Sequence, residues 1–161
     1  MKPIYLITGG AGFIGSNLAS RLIQKGKKVI VLDNFSTGRK SNLVRNKNLK
    51  LINCDISNYN SIEKYFKNVK YVFHLAGLAD IVPSIENPDR YFKSNVLGTL
   101  NVLEASKKFK IKKLIYSASA SCYGFPQKYP TSENEKLKPM YPYALTKMQG
   151  EQLVMHYNKI Y

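Results

Sequence analysis

The chain has 161 residues, the size of one domain with a real core, and its 44% hydrophobic and 22% charged composition excludes a disordered or collagen-like chain. No apolar run reaches the ~20 residues that a membrane span needs. The formal charge of +15 suggests an anionic partner, but only Arg21, Arg39, Arg45 and Arg90 among the 25 basic residues carry the forked guanidinium that nucleic-acid readers favour. The expectation is therefore no nucleic acid and no membrane. The start, Met1-Lys2-Pro3-Ile4-Tyr5, shows no secretory pattern, and two cysteines, Cys54 and Cys122, are too few for a disulfide framework. Both points lead us to expect a cytoplasmic protein.

Five short apolar runs without polar alternation read as strands buried on both faces: Ile4–Thr8, Val29–Leu32, Leu49–Asn53, Tyr71–Leu75 and Lys113–Ser117. Helical stretches separate them. The first places Ile14, Leu18 and Leu22 on one face and stops at Gly26; a short one covers Ser61–Phe66. A long helix is expected from Pro88 to Phe109 with Val96, Leu100 and Leu103 inward, and a last one starts near Pro142. Alternating strands and helices with right-handed crossovers predict an α/β doubly wound parallel sheet. The loop Ser119–Tyr141 is long for a compact domain, and such loops often carry function.

Thr8–Ser16 joins the first strand to its helix, and its glycines parse as G-x-G-x-x-G (Gly10, Gly12, Gly15) or G-x-x-G-x-x-G (Gly9, Gly12, Gly15). Glycine lets backbone approach a pyrophosphate, which the helix N-terminus attracts. Asp33 closes the second strand 18 residues after Gly15, close to the position of a ribose-binding carboxylate, and it would repel a 2′-phosphate. NAD is the expected cofactor, with Arg39 and Lys40 nearby, either solvated or beside its adenosine half. Tyr143 and Lys147 lie four apart, hence on one face of the last helix. A phenol is a poor base at neutral pH, but an ammonium one turn away favours the phenolate and makes it a usable acid/base.

With these motifs in this order, the sequence resembles an extended short-chain dehydrogenase/reductase of the NAD-dependent epimerase/dehydratase family, a Rossmann-fold family. Thr8–Ser16, Asp33–Gly38, Cys54–Ile56, His74–Gly77, Asn95–Thr99, Ser117–Gly124 and Tyr143–Lys147 carry the likeness. The resemblance implies that Gly9, Gly12, Phe13, Ile14 and Gly15 hold the pyrophosphate and that Asp33, Asn34, Ser36, Thr37 and Gly38 hold the adenosine end. It implies further that Asp55 and Ile56 flank adenine, that Leu75, Ala76 and Gly77 lead to the nicotinamide, and that Asn95 orders that region. Ser119, Tyr143 and Lys147 match the catalytic residues: Ser119 bonds the reacting sugar hydroxyl, Tyr143 takes its proton, and Lys147 binds the nicotinamide ribose. No metal is expected.

Family dehydratases carry an Asp-Glu pair after the catalytic residue, and nucleotide-sugar decarboxylases a Glu; this chain has Ala120 and Ser121. With no acid for elimination, the resemblance implies a nucleotide-sugar 4-epimerase that oxidises C4 transiently and returns the hydride to the other face. A dehydratase, a decarboxylase, or a non-catalytic NAD- or RNA-binding relative are the alternatives. Ala79 stands where galactose epimerases have a cofactor-binding lysine, which leaves the sugar open. Family members are about twice this size, so residues 1–161 are expected to be the N-terminal, NAD-binding portion, inactive alone, lacking the UDP-sugar-binding lobe and forming a homodimer when full length. The positive charge is expected to suit two pyrophosphate ligands. The remaining residues have plainer readings: His74 a satisfied core histidine, Cys54 and Cys122 buried and reduced, His156 on the surface, Tyr123 and Tyr141 packing.

Overall fold

The computed structural model describes residues 3–161. The five apolar runs are strands β1 (Ile4–Thr8), β2 (Lys28–Asp33), β3 (Leu49–Asn53), β4 (Val69–His74) and β5 (Lys113–Tyr116). They form one sheet in the order β3-β2-β1-β4-β5, and every pairing is parallel. Alternation along β1 explains the absence of polar positions: Leu6 packs into one hydrophobic layer with Leu32, Val72 and Val102, and Ile7 into the opposite layer with Ala19 and Val31. Chain order reverses between β1 and β4, and ligands of doubly wound sheets bind at such a switch point, beyond the carboxyl ends of the strands.

Helix α1 spans Phe13–Gln24, but it buries Gly15, Ser16, Ala19 and Ile23 rather than the expected Ile14, Leu18, Leu22 face. Close packing of Gly15 on the preceding turn sets the helix rotation, which leaves Ile14 63% exposed and Leu18 and Leu22 at the margin of the core. Helix α2 (Tyr59–Ile62) continues as a tight turn to Phe66. Helix α3 (Ile81–Glu86) was not foreseen; its N-terminal neighbour, Asp80, has φ +76°, an unusual conformation for a residue with a side chain.

The long helix begins at Pro88 as expected but is not uniform. Helix α4 (Pro88–Tyr91) passes through a widened π turn, Phe92–Leu97, into α5 (Gly98–Lys108). The extra residue in that turn shifts the inward face, so Val102 and Leu103 are buried whereas Val96 and Leu100 are only half-buried. Helix α6 runs from Pro142 to Ile160 with proline in its first turn. Cys122 is buried as expected, but Cys54 is only half-buried because it opens onto the groove described next.

Candidate active site

Gly9 leaves β1 with φ +67°, and a Cβ built there would lie 2.6 Å from the Ala76 amide nitrogen. A Cβ on Gly15 would strike the Gly9 carbonyl oxygen. The two strand ends and the helix can therefore meet only through glycine. Helix α1 has no side-chain cap and no acid in its first turn, so its leading N–H groups face the cleft unanswered. Phe13 and Ile14 start the helix with exposed side chains, so only their backbone serves this cradle.

Asp33 is 8% exposed, with Oδ2 accepting the Ala11 N–H at 2.8 Å and Oδ1 accepting the Phe35 N–H at 2.8 Å. Fixed this way, the carboxylate keeps lone pairs for two hydroxyls. Asn34 Nδ2 donates to Asp55 Oδ2 at 3.2 Å, tying the ends of β2 and β3. Burial works against the Asp55 carboxylate, yet the Ser57 amide and hydroxyl, Asn34 and the Lys93 charge prevail and hold its pKa below the ordinary value. The groove so formed is lined by Gly9, Gly12, Asp33, Asn34, Ser36, Thr37, Gly38, Asp55, Ile56, Leu75, Ala76 and Gly77. Cys54, the first residue of the Cys54–Ile56 motif, also lines it, as does Ser94, which no motif had marked. Burial, reinforced by the Asp55 and Asp33 charges, pushes the Cys54 thiol up to about 11, so it offers a neutral wall rather than a nucleophile.

Beneath the groove lies a directed chain of hydrogen bonds. The Ala76 N–H donates to Thr8 Oγ1 (3.2 Å), which pairs with His74 Nδ1 (2.7 Å). His74 Nε2 pairs with Thr99 Oγ1 (2.9 Å), whose hydroxyl donates to the Asn95 carbonyl (2.6 Å). Because Thr99 uses its only proton on Asn95, His74 must donate from Nε2 and accept from Thr8 at Nδ1, which assigns the neutral Nε2–H tautomer. The ring is 0% exposed, and burial, followed by the Lys147 charge, pushes its pKa down to about 3. His74 is thus a satisfied core histidine, as its sequence context suggested. The Asn95 side chain acts above it: Oδ1 accepts the Leu78 N–H (2.7 Å), while Nδ2 donates to the Leu78 carbonyl (3.0 Å) and to Thr146 Oγ1 (3.0 Å). It clamps the segment after Gly77 and joins it to α6.

The third group gathers past the carboxyl end of β5 and at the start of α6. Tyr143 OH donates to Ser119 Oγ at 3.3 Å, although 24 residues separate them. Ser119 Oγ also pairs with Ser121 Oγ at 2.7 Å, so Ser121 joins the cluster without having been singled out. Lys147 is 8% exposed; its Nζ donates to the Ser117 carbonyl at 2.6 Å and lies 4.2 Å from the Tyr116 ring centre rather than bonding the Tyr143 hydroxyl. Burial lowers its pKa to about 8, opposed by Cys122 and Glu151. The long loop begins with a tight turn, Ala120–Tyr123, in which Cys122 Sγ meets the Ala144 carbonyl at 3.5 Å, seating Ser119 against α6.

A glycine turn opening an uncapped helix, a carboxylate fixed on two backbone amides and a Ser-Tyr pair beside a buried lysine, set at the carboxyl end of a doubly wound parallel sheet, mark a Rossmann-type α/β protein. The chain belongs to the NAD dependent epimerase/dehydratase family, whose model matches residues 5–161. It is 41% identical over 158 residues to a Methanocaldococcus jannaschii protein provisionally named UDP-glucose 4-epimerase, covering 97% of this chain and 51% of that protein. A solved structure of UDP-N-acetylglucosamine 4-epimerase from Methanobrevibacter ruminantium, in complex with UDP-N-acetylmuramic acid, superposes with a TM-score of 0.94. It is 37% identical and matches 100% of this chain and 52% of its own. UDP-glucose 4-epimerase from Brucella ovis, solved in complex with NAD, gives a TM-score of 0.88 at 34% identity, over 99% of this chain and 49% of its own. The chain therefore spans about half the length of the relatives it matches. NAD is the cofactor of this family, and the uncapped glycine cradle and fixed Asp33 carboxylate fit it.

Proposed function

We propose that this chain is the NAD-binding portion of a UDP-sugar 4-epimerase and that Ser119, Tyr143 and Lys147 perform its proton transfer. The observation that carries the reading is the 3.3 Å hydrogen bond from Tyr143 OH to Ser119 Oγ, beside a groove with the polarity of a dinucleotide site. When bound, NAD would supply a hydride acceptor for the sugar C4 carbinol and, as the NADH so formed, the donor that returns the hydride to the C4 ketone. The chain handles the proton and the geometry. A substrate hydroxyl placed between Ser119 and Tyr143 donates to the phenolate as C4 is oxidised, and Tyr143 returns that proton on reduction. Ser119 orients the hydroxyl, and Ser121 fixes Ser119. Lys147, held at the Ser117 carbonyl one turn from Tyr143, supplies the ribose contact and a positive charge near the phenol.

Ala120 and Ser121 support epimerisation over elimination, since neither can carry a proton off the sugar. The remaining half of the protein would hold the UDP and much of the sugar, so residues 1–161 alone should bind NAD without turnover. The test is a product assay of the complete protein on UDP-glucose and UDP-N-acetylglucosamine. The reading expects the C4 epimer of one or both, and loss of about 10²–10⁴-fold in kcat for Tyr143→Phe. A 4-keto-6-deoxy sugar as sole product would overturn it.

A further inference from the structure

Tyr91, the last residue of α4, has no role in the reading above, yet it touches both halves of the site. It is 4% exposed, and its hydroxyl donates to the Ala79 carbonyl. Its ring meets the Tyr143 ring edge to face, with centres 6.4 Å apart and planes at 74°. The Ala79 carbonyl belongs to the segment that leaves β4 past Leu75, Ala76 and Gly77, the groove wall nearest Ser94. That segment is clamped one residue earlier, where Asn95 bonds both backbone groups of Leu78. It ends one residue later at Asp80, where φ +76° turns the chain into α3. Asn95 and Tyr91 stand four residues apart across the start of the widened turn, and together they grip three consecutive peptide units, from Gly77–Leu78 to Ala79–Asp80.

We propose that Tyr91 is a positioning residue that sets the cofactor-side loop and the Tyr143 phenol as one unit. The inference rests on the reading of Tyr143 as the acid/base group. Packing of the buried Tyr91 ring against the Tyr143 ring gives Tyr143 one orientation, the one that aims its hydroxyl at Ser119, while the hydroxyl of the same side chain holds the cofactor-side loop at Ala79. The same contact sets the Tyr91 quadrupole against the Tyr143 phenol, so its loss alters the setting in which the phenol titrates. Charged and titratable groups around the pair are Asp80 and Arg90 beside Tyr91, and Lys147 one turn along α6 from Tyr143. Burial first, and then the Asp80 charge, raise the Tyr91 pKa, so it remains a protonated donor across the working range.

The test compares Tyr91→Phe and Tyr91→Leu with Tyr143→Phe in the complete protein, after NAD content and thermal midpoint confirm folding. Tyr91→Phe keeps the ring and loses the tie: NAD should dissociate about 2- to 10-fold faster while kcat stays within about 2-fold. Tyr91→Leu loses both, and kcat should fall by a further factor of about 2–10 at unchanged sugar KM, with the acid limb of the kcat–pH profile displaced. If Tyr91→Leu does not fold, Tyr91→Met serves in its place. A folded, NAD-loaded Tyr91→Leu with the wild-type kcat and pH profile overturns the proposal, as does a Tyr91→Phe that loses as much kcat as Tyr91→Leu. Turnover that survives Tyr143→Phe overturns the catalytic reading itself, and this inference with it.

Discussion

The two ends of the sheet are built from the same five strands and do opposite things. At the carboxyl end, the chain gathers buried or half-buried polar groups that satisfy one another: Asp33 on backbone amides, His74 between two threonines, Ser119 under Tyr143. At the amino end, the turns that feed β2, β4 and β5 each contain a left-handed residue, Gly26, Asn68 and Lys110. Around them stand the exposed Lys25, Lys28, Lys67, Lys70, Lys107, Lys108, Lys112 and Lys113. Only two of these are answered in ion pairs, Lys107 by Glu104 and Lys108 by Glu63. The groove lining, by contrast, holds two carboxylates and, among the described residues, no cation, with the Lys93 charge acting on Asp55 from beside it. A +15 chain thus gathers a dense group of lysines at the end away from the groove. Function follows from polar groups that are buried and partnered, and surface lysines mark solvent.

The comparison can be broken or sharpened by experiment. The largest effect is expected at Gly9: Gly9→Val places a side chain in a left-handed conformation against Ala76, and NAD affinity measured by calorimetry should fall by about 100-fold or more. Next comes Asp33→Asn, whose amide cannot accept from both Ala11 and Phe35, with an expected loss of about 10- to 100-fold in NAD affinity. Two pH effects follow. The folded chain holds His74 neutral down to about pH 3, whereas an unfolded histidine binds a proton near 6.5. The unfolded state binds more protons in that window, so stability in urea should decline as pH falls from 6.5 toward 3, less so in His74→Gln. Lys147, at about 8 against 10.5 unfolded, has the same sign at the other limb: stability should rise from pH 8 to 10.5, and the rise should vanish in Lys147→Met. Least of all should follow from Lys110→Gln or Lys113→Gln, within about 0.5 kcal/mol of stability and with no change in NAD affinity. A loss of NAD binding there comparable to that of Asp33→Asn would erase the distinction between the two ends.

What the sequence made legible was local. The glycine turn, Asp33 after its strand and the Tyr143–Lys147 spacing each lie within one element or at its end, where strand alternation and helical periodicity speak directly. The sheet was legible for the same reason, since β1 and β3 fall on the expected Ile4–Thr8 and Leu49–Asn53. What escaped joins residues far apart. Thr8 and His74 meet across 66 residues, Asn95 and Thr146 across 51, and no spacing rule links them. Cys54, just past β3, and Ser94, in the widened turn, reach the groove from two distant parts of the chain. Small-residue packing decided the face of α1, where Gly15 and Ala19 outrank the larger Ile14 and Leu18, contrary to a reading by hydrophobicity alone.

The widened turn at Phe92–Leu97 has a consequence for which changes the chain can accept. An ordinary helix advances by about 100° per residue, so one residue more or less reorients everything on one side of it. The turn works as a phase shifter that lets α4 address the cleft through Tyr91 while α5 buries Val102 and Leu103. Phe92 and Lys93 point outward and should accept many substitutions. Removing a single residue from the same stretch would swing Tyr91 off Tyr143, or Val102 out of the core, however conservative its neighbours. In this segment, residue count is under tighter constraint than residue identity.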